Sequence, residues 1–204
     1  MRTESTIEFR FNTETQRHRD TEVPQGACNS SESPCLCASV LEPCAESAAA
    51  AAPSAACLLA ALQRRMDEAR SILWIFDNCG EAVFDRPLME PYRSIITLAV
   101  RGKPAFNDMT RAELAASGYP EGFAGGGVVS NDDGIPGVVD STCGEAFRAA
   151  FDAADLVVAK GQANFETMNE RTDKPIAFLF LAKCPVVCRA IGAEPGTIQV
   201  RLHN

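Results

Sequence analysis

The sequence predicts an α/β protein: an open, doubly wound, mostly parallel sheet with helices on both faces, preceded by a poorly structured N-terminal tail. Short apolar runs alternate with segments of helical periodicity along most of the 204 residues. The runs are continuous rather than alternating, which indicates strands buried on both faces and therefore a parallel sheet between two helix layers. The repeated strand–helix order is typical of doubly wound folds.

Six apolar runs predict the strands, and helical stretches fill the intervals between them. The last run alternates Ile198, Val200 and Leu202 with polar residues, which favours an edge strand. The predicted strands cover residues 72–77, 94–102, 126–131, 155–161, 175–183 and 196–202. The predicted helices lie near residues 55–70, 80–92, 110–117, 142–153, 162–170 and 184–191.

Residues 1–55 differ in composition from residues 56–204. They are rich in Ser, Thr, Glu, Pro and Cys, and they end in an alanine tract at 48–52 that precedes Pro53. Few bulky apolar residues are spaced to form a packed face. We therefore expect a low-complexity tail, or the remnant of a helical N-terminal region, followed by a single α/β domain over residues 56–204.

Charge and hydropathy exclude several classes of partner. The formal net charge of −8 disfavours nucleic acid and anionic lipid. No apolar run reaches the roughly 18 residues that a transmembrane helix requires. The N-terminus lacks the apolar stretch of a secretory signal, so we expect a cytoplasmic protein without membrane or nucleic-acid partners.

Polar residues close the predicted strands. Ligands of parallel sheets bind outside the carboxyl ends of the strands, so these residues are candidates for a binding site. Acid, amide and lysine side chains that meet at one sheet edge are typical of a metal-assisted phosphate site. The candidates are Asp77 and Asn78 after the first run, Asn107 and Asp108 after the second, Asn131 to Asp133 after the third, Lys160 after the fourth and Lys183 after the fifth.

Each candidate also has a purely structural explanation. Asp77, Asn78 and Asp108 are residue types that cap the N-termini of helices. Asp133 lies in a Gly- and Pro-containing turn, although a loop that closes over a substrate would make it a contact residue. Lys160 can extend from the sheet edge into water.

The positions of the histidines restrict the possible chemistry. His18 lies in the predicted tail and His203 lies next to the C-terminus. A Ser–His–Asp or Cys–His centre within the domain therefore lacks its base. Metal and carboxylate chemistry is the mechanism that the remaining residues favour.

Four segments together resemble the damage-control phosphatases, a metal-dependent family long known as domain of unknown function 89. They follow one another in the family's order from about residue 56 to the C-terminus. The segments are ILWIFDNCGEAVFDRPLME, TLAVRGKPAFNDMT, VVSNDDGIPGVVDSTCGEAFRAAFDAADLVVAKGQANFETM and KPIAFLFLAKCPVVCRAIGAEPGT. The resemblance implies an α/β catalytic domain that hydrolyses phosphate esters, with sugar phosphates and damaged phosphometabolites as proposed substrates.

The resemblance also implies roles for individual residues. A divalent cation (manganese, nickel, cobalt or magnesium) is expected to bind to Asp77, Asn78 and Asp108. Lys160 is expected near the bound phosphate, and Glu81 and Asn107 near the substrate. The resulting prediction is a metal-dependent phosphomonoester hydrolase of metabolite repair, with a small phosphorylated metabolite as its partner. Its expected catalytic residues are Asp77, Asn78, Asp108 and Lys160, and its expected substrate-binding residues are Glu81, Asn107, Asp133 and Lys160.

Two alternatives belong to other functional classes. One is a truncated relative that binds a metal or metabolite without catalysis. The other is an S-adenosylmethionine-dependent methyltransferase, which has been proposed for one branch of the family. Against the second, no G-x-G-x-x-G segment follows a predicted strand, since Gly125 to Gly127 precede one.

Overall fold

The computed structural model describes residues 55–171 and 173–203 of the chain. The predicted tail therefore lies outside the described residues apart from Ala55, and the boundary near residue 55 stays a prediction. The helices are α1 Ala55–Glu68, α2 Cys79–Met89, α3 Arg111–Ala116, α4 Glu145–Ala153, α5 Gln162–Met168 and α6 Pro185–Ile191, with a 3-10 turn at Glu90–Tyr92. The strands are β1 Ile72–Ile75, β2 Ile96–Val100, β3 Val128–Ser130, β4 Leu156–Lys160, β5 Ile176–Leu181 and β6 Ile198–His203.

The strands form one six-stranded sheet in the order β3-β2-β1-β4-β5-β6. The first five strands in this order are mutually parallel, and β6 pairs antiparallel with β5 at the edge. The predicted mostly parallel sheet is confirmed, and so is the edge position of the last strand. Because the chain leaves β1 toward β2 on one side and returns to β4 on the other, the switch point lies at β1.

Side chains of β1 alternate between two hydrophobic cores, one on each face of the sheet. Ile72 and Trp74 pack with residues of α1, α2 and α3. Leu73 and Ile75 pack with residues of α4, α5 and α6. All four of these β1 side chains are buried, which explains why the run reads as continuously apolar. The prediction of helices on both faces is therefore confirmed.

Among the described residues, no helix combines the length and the apolar character that crossing a membrane requires. The longest helix, Ala55–Glu68, has 14 residues.

Candidate metal centre

The loops that follow β1 and β2 are joined by backbone hydrogen bonds. The N–H of Cys79 donates to the carbonyl of Asn107 at 2.9 Å, and the N–H of Met109 donates to the carbonyl of Asp77 at 2.7 Å. These two bonds form an antiparallel bridge between Asn78 and Asp108. The backbone itself therefore brings together the three predicted metal ligands from two segments some thirty residues apart.

The bridged loops line an open cleft of about 300 Å³. It lies where β1 and β2 end, which is the position that the fold offers to ligands. Predicted residues from three strand ends line this cleft: Asp77, Asn78, Asn107, Asp108 and Lys183. Phe106 and three residues of the α5 segment, Gln162, Ala163 and Glu166, line it as well.

The amide of Asn78 is oriented by two acidic neighbours. Its Nδ2 donates to Oδ2 of Asp77 and to Oε1 of Glu81, both at 2.9 Å. Because the nitrogen is used in this way, the carbonyl oxygen is the atom of this side chain that is suited to a cation. Glu81 thus has a defined place in the structure, where it fixes the orientation of a predicted ligand.

The carboxyl group of Asp77 is in an environment that disfavours its negative charge. Its pKa is raised from 3.8 to about 6, mainly by burial and then by the nearby carboxylates of Asp108 and Glu81. Arg101 and Lys183 act in the opposite direction, but they do not compensate. A cation between Asp77 and Asp108 would remove this penalty, so the electrostatics of the site fit a bound metal.

Arg101 holds Asp108 through a buried ion pair. Its Nε lies 2.8 Å from Oδ2 of Asp108, and both side chains are less than a tenth exposed. The same guanidinium donates to the carbonyl of Gly137 and to Oδ1 of Asn164. Arg101 was not among the predicted site residues. The sequence contained an indication of this role, because Arg101 is a charged residue that directly continues the apolar run of β2.

Lys160 lies in an ion-pair network instead of lining the cleft. Its ammonium is 2.7 Å from Oδ1 of Asp85 and 3.6 Å from Oε2 of Glu81. Asp85 is buried, and burial raises its pKa even though Lys160 lowers it. Sequence reasoning missed Asp85, although it follows Glu81 by four residues and therefore shares its face of α2.

Asp133 organises its own loop. Its Oδ1 accepts from Nδ2 of Asn131 at 3.0 Å and from the N–H of Ile135 at 3.1 Å, and its Oδ2 accepts from the hydroxyl of Thr142. Its backbone carbonyl accepts from the N–H groups of Gly102 and Lys103. These contacts use the side chain within the loop, away from the residues that line the cleft, and a contact with substrate stays a prediction.

The donor set of the cleft suits a hard divalent cation. Two carboxylates and one amide oxygen are ligands that magnesium and manganese prefer. The described residues contain no group of three Asp, Glu, His or Cys side chains around one point. Asp77, Asn78 and Asp108 are thus a set of two acids and an amide, a combination that leaves coordination positions for water or substrate.

The strand order and the oxygen donors at the switch point of the sheet define the class of protein. It is a doubly wound α/β protein with a candidate cation centre. The family follows from sequence comparison. Residues 46–198 match the damage-control phosphatase ARMT1-like domain, and the chain belongs to this family. The family membership that the four sequence segments predicted is confirmed.

Two damage-control phosphatases and one solved structure from archaea are similar to this chain. A damage-control phosphatase of Pyrococcus horikoshii is 38% identical over 67% of this chain and 48% of its own length. A damage-control phosphatase of Archaeoglobus fulgidus is 33% identical over 64% and 46%. The crystal structure of a DUF89 family protein from Pyrococcus horikoshii superimposes with a TM-score of 0.65 at 36% identity, covering 71% of this chain and 51% of that one. The chain spans about half the length of the curated relatives it matches.

Proposed function

We propose that this chain is a divalent-metal-dependent phosphatase that hydrolyses phosphomonoesters of small phosphorylated metabolites. One observation carries the proposal: Asp77, Asn78 and Asp108 are joined by a backbone bridge at the edge of a cleft. The raised pKa of Asp77 supports it, because clustered carboxylates favour a cation. The names of the two archaeal damage-control phosphatases are consistent with this activity.

Asp77, Asn78 and Asp108 would hold the cation through side-chain oxygens. When bound, a divalent cation supplies positive charge to a phosphate oxygen and increases the acidity of water. Arg101 keeps the carboxylate of Asp108 in place, and Glu81 does the same for the amide of Asn78. Preorganised ligands of this kind avoid a cost of rearrangement when the substrate binds.

Lys183 is the basic residue among those that line the cleft. Its backbone N–H donates to Oε1 of Gln162 at 2.7 Å, and the N–H of Cys184 donates to the same oxygen at 3.1 Å. Gln162 therefore anchors the loop after β5 to α5. In this position Lys183 would attract the phosphate and stabilise charge that develops on it.

Hydrolysis requires one bond to form and one to break. The oxygen of a water molecule bonds to phosphorus, and the bond from phosphorus to the ester oxygen breaks. The alcohol leaves with one proton of that water, and inorganic phosphate remains. The Asp77 carboxylate is the group suited to orient the water, since it lines the cleft beside the other ligands.

We also propose that Lys160 contacts the phosphate when the substrate is bound. The ammonium would have to leave Oδ1 of Asp85, where it lies at 2.7 Å. In its present position Lys160 acts on the centre indirectly, because Glu81 connects it to the Asn78 amide.

Phosphate release from phenyl phosphate in the presence of manganese tests the function. We expect Asp77→Asn and Asp108→Asn to lower release at least about a hundredfold, since each removes one charge from the ligand set. Asp140→Asn is the matched control, because that carboxylate is exposed and pairs with Arg171 away from the cleft. Full activity of both site variants would exclude the proposed metal centre.

A non-catalytic metal- or metabolite-binding relative is the second candidate, favoured by the ion pair that holds the Lys160 ammonium 2.7 Å from Asp85 and away from the residues that line the cleft. Calorimetric titration with manganese separates the two. Binding that is lost in Asp108→Asn, without phosphate release from a panel of sugar phosphates, would establish the non-catalytic function.

A further inference from the structure

Phe106 has an unusual backbone conformation for an aromatic residue. Its φ is +49°, in the left-handed region that bulky side chains rarely adopt. Asp132 is the other non-glycine residue with positive φ among those described, but aspartate tolerates that region well. Such strain is found preferentially where a binding site requires it, which makes Phe106 a candidate for a role at the cleft.

The hydrogen bonds on both sides of Phe106 keep the residue in this conformation. The N–H of Asp108 donates to the carbonyl of Ala105 at 2.9 Å, which makes Phe106 the first central residue of a four-residue turn. The carbonyl of Asn107 accepts from Cys79 in the bridge between the two loops. A positive φ at this turn position favours Gly, Asn or Asp, so the chain places a phenyl ring where a small residue would be less strained.

The phenyl ring of Phe106 is almost entirely exposed to solvent. Its side chain is 95% exposed, more than any other large hydrophobic residue among those described. The ring therefore gains little from packing within the chain, although burial is what normally stabilises a phenylalanine. It lines the cleft together with Asp77, Asn78 and Asp108.

We propose that Phe106 is a substrate-contacting residue that packs against the ring of a ring-bearing alcohol portion of the phosphoester. This inference rests on the proposed function for the position of the phosphate at the cation centre. Phe106 is two residues from Asp108 and lines the same cleft, so the alcohol portion of an ester whose phosphate binds at that centre is within reach of this residue. The chain then prefers esters with a flat, partly apolar ring over open-chain polyol phosphates.

Phosphonates test this inference without any turnover, because their phosphorus–carbon bond is not cleaved by phosphomonoester hydrolysis. Calorimetry with the full chain and manganese would compare phenylphosphonate with methylphosphonate. We expect the wild-type chain to bind phenylphosphonate about three- to tenfold more tightly, as expected for one aromatic contact. Phe106→Gly is expected to remove this preference, so that the ratio of the two affinities falls to about one.

One stability measurement and two further variants serve as controls. Glycine accepts the positive φ, so Phe106→Gly is expected to keep or raise the thermal midpoint. Phe106→Tyr retains the ring and is expected to retain the preference. Phe84→Ala removes an 84% exposed phenyl ring on α2 that does not line the cleft, and it is expected to change neither affinity.

The outcomes separate this inference from the proposed function. Equal affinity for the two phosphonates in the wild-type chain, or a preference that persists in Phe106→Gly, would overturn the role of Phe106. A preference that Phe106→Gly abolishes supports it, whether or not phenyl phosphate is hydrolysed. Absence of phosphate release from every ester would then count against the phosphatase activity alone.

Discussion

Oδ1 of Asp85 accepts a hydrogen bond of 2.7 Å from the ammonium of Lys160, and the two side chains are only 11% and 14% exposed. The second oxygen of Asp85 has no hydrogen-bond partner among the described residues. Together with Glu81, this pair connects α2 to the carboxyl end of β4. It therefore ties the helix that follows the loop after β1 to the centre of the sheet.

The buried pair gives a first prediction, on stability. Asp85→Leu is expected to lower the free energy of unfolding by about 3 kcal/mol, because it leaves Lys160 without its nearest carboxylate. The double variant Asp85→Leu/Lys160→Met is expected to recover most of that loss. Urea denaturation measures both effects. Glu90→Ala, which breaks an exposed pair with Arg86, is the control and should cost less than about 0.5 kcal/mol. A double variant no more stable than Asp85→Leu would contradict this account.

A second prediction concerns Gly161. Its φ is +83°, and a Cβ built on it lies 2.2 Å from Cγ of Asp77. Gly161→Ala is therefore expected to displace the Asp77 carboxylate and to weaken manganese binding at least about tenfold. Gly196→Ala is the matched control, since its φ of +81° carries the same backbone strain with nothing within 4 Å. Both variants should lose about 1 kcal/mol of stability from the backbone strain alone.

Wild-type manganese affinity in Gly161→Ala would show that Asp77 does not bind the cation in its present position. Loss of affinity in both glycine variants would point to strain in the sheet rather than to the contact.

The raised pKa of Asp77 gives a third prediction, on pH. The folded chain holds this proton up to about pH 6, whereas the unfolded chain loses it near the ordinary value of 3.8. Ionisation of Asp77 therefore lowers the stability of the metal-free chain as pH rises between these values, and the loss persists above them. A cation must displace the proton, so manganese affinity should fall as pH falls through 6, with proton release on binding.

Calorimetry in two buffers of different ionisation enthalpy measures the released protons at pH 5.5 and at pH 7.5. We expect most of one proton at the lower pH and far less at the higher. Proton release that is the same at both pH values would contradict the assignment to Asp77.

A fourth prediction concerns Arg101, whose guanidinium contacts Asp108, Gly137 and Asn164 at once. Arg101→Lys is expected to lower stability by about 2 kcal/mol, because a single ammonium cannot replace the planar group. It should also weaken manganese binding, since Asp108 loses its orientation. Thermal melting and calorimetry measure the two effects. Arg111→Lys is the control, as that side chain is exposed and donates to one carbonyl.

Much of the fold could be predicted from local patterns. Each predicted strand overlaps an observed one. The central strands could be recognised because burial on both faces of a parallel sheet requires an uninterrupted apolar run, and the edge strand β6 because its apolar residues alternate with polar ones. The strand order and the antiparallel direction of β6 could not be predicted, since both depend on pairing between residues far apart in the chain.

The candidate site could likewise be predicted only in part. Asp77, Asn78 and Asp108 could be selected because they follow predicted strands. Residues that follow neighbouring parallel strands lie at the same edge of the sheet, as the bridge between Asn78 and Asp108 shows. The partners of Lys160 could not be predicted, because its contact with Asp85 depends on how α2 lies against β4. Lys183 was identified only as a strand-end residue, yet it lines the cleft that Lys160 does not.

The bridge between Asn78 and Asp108 has a consequence for how the centre tolerates change. Its hydrogen bonds join main-chain atoms, so the spacing of the two loops does not depend on which side chains flank them. Replacing Cys79 by another residue that has a backbone N–H therefore keeps these bonds and the spacing of the two loops. Main-chain geometry thus sets the spacing of the two loops, and a change of side chain on either loop does not by itself alter that spacing.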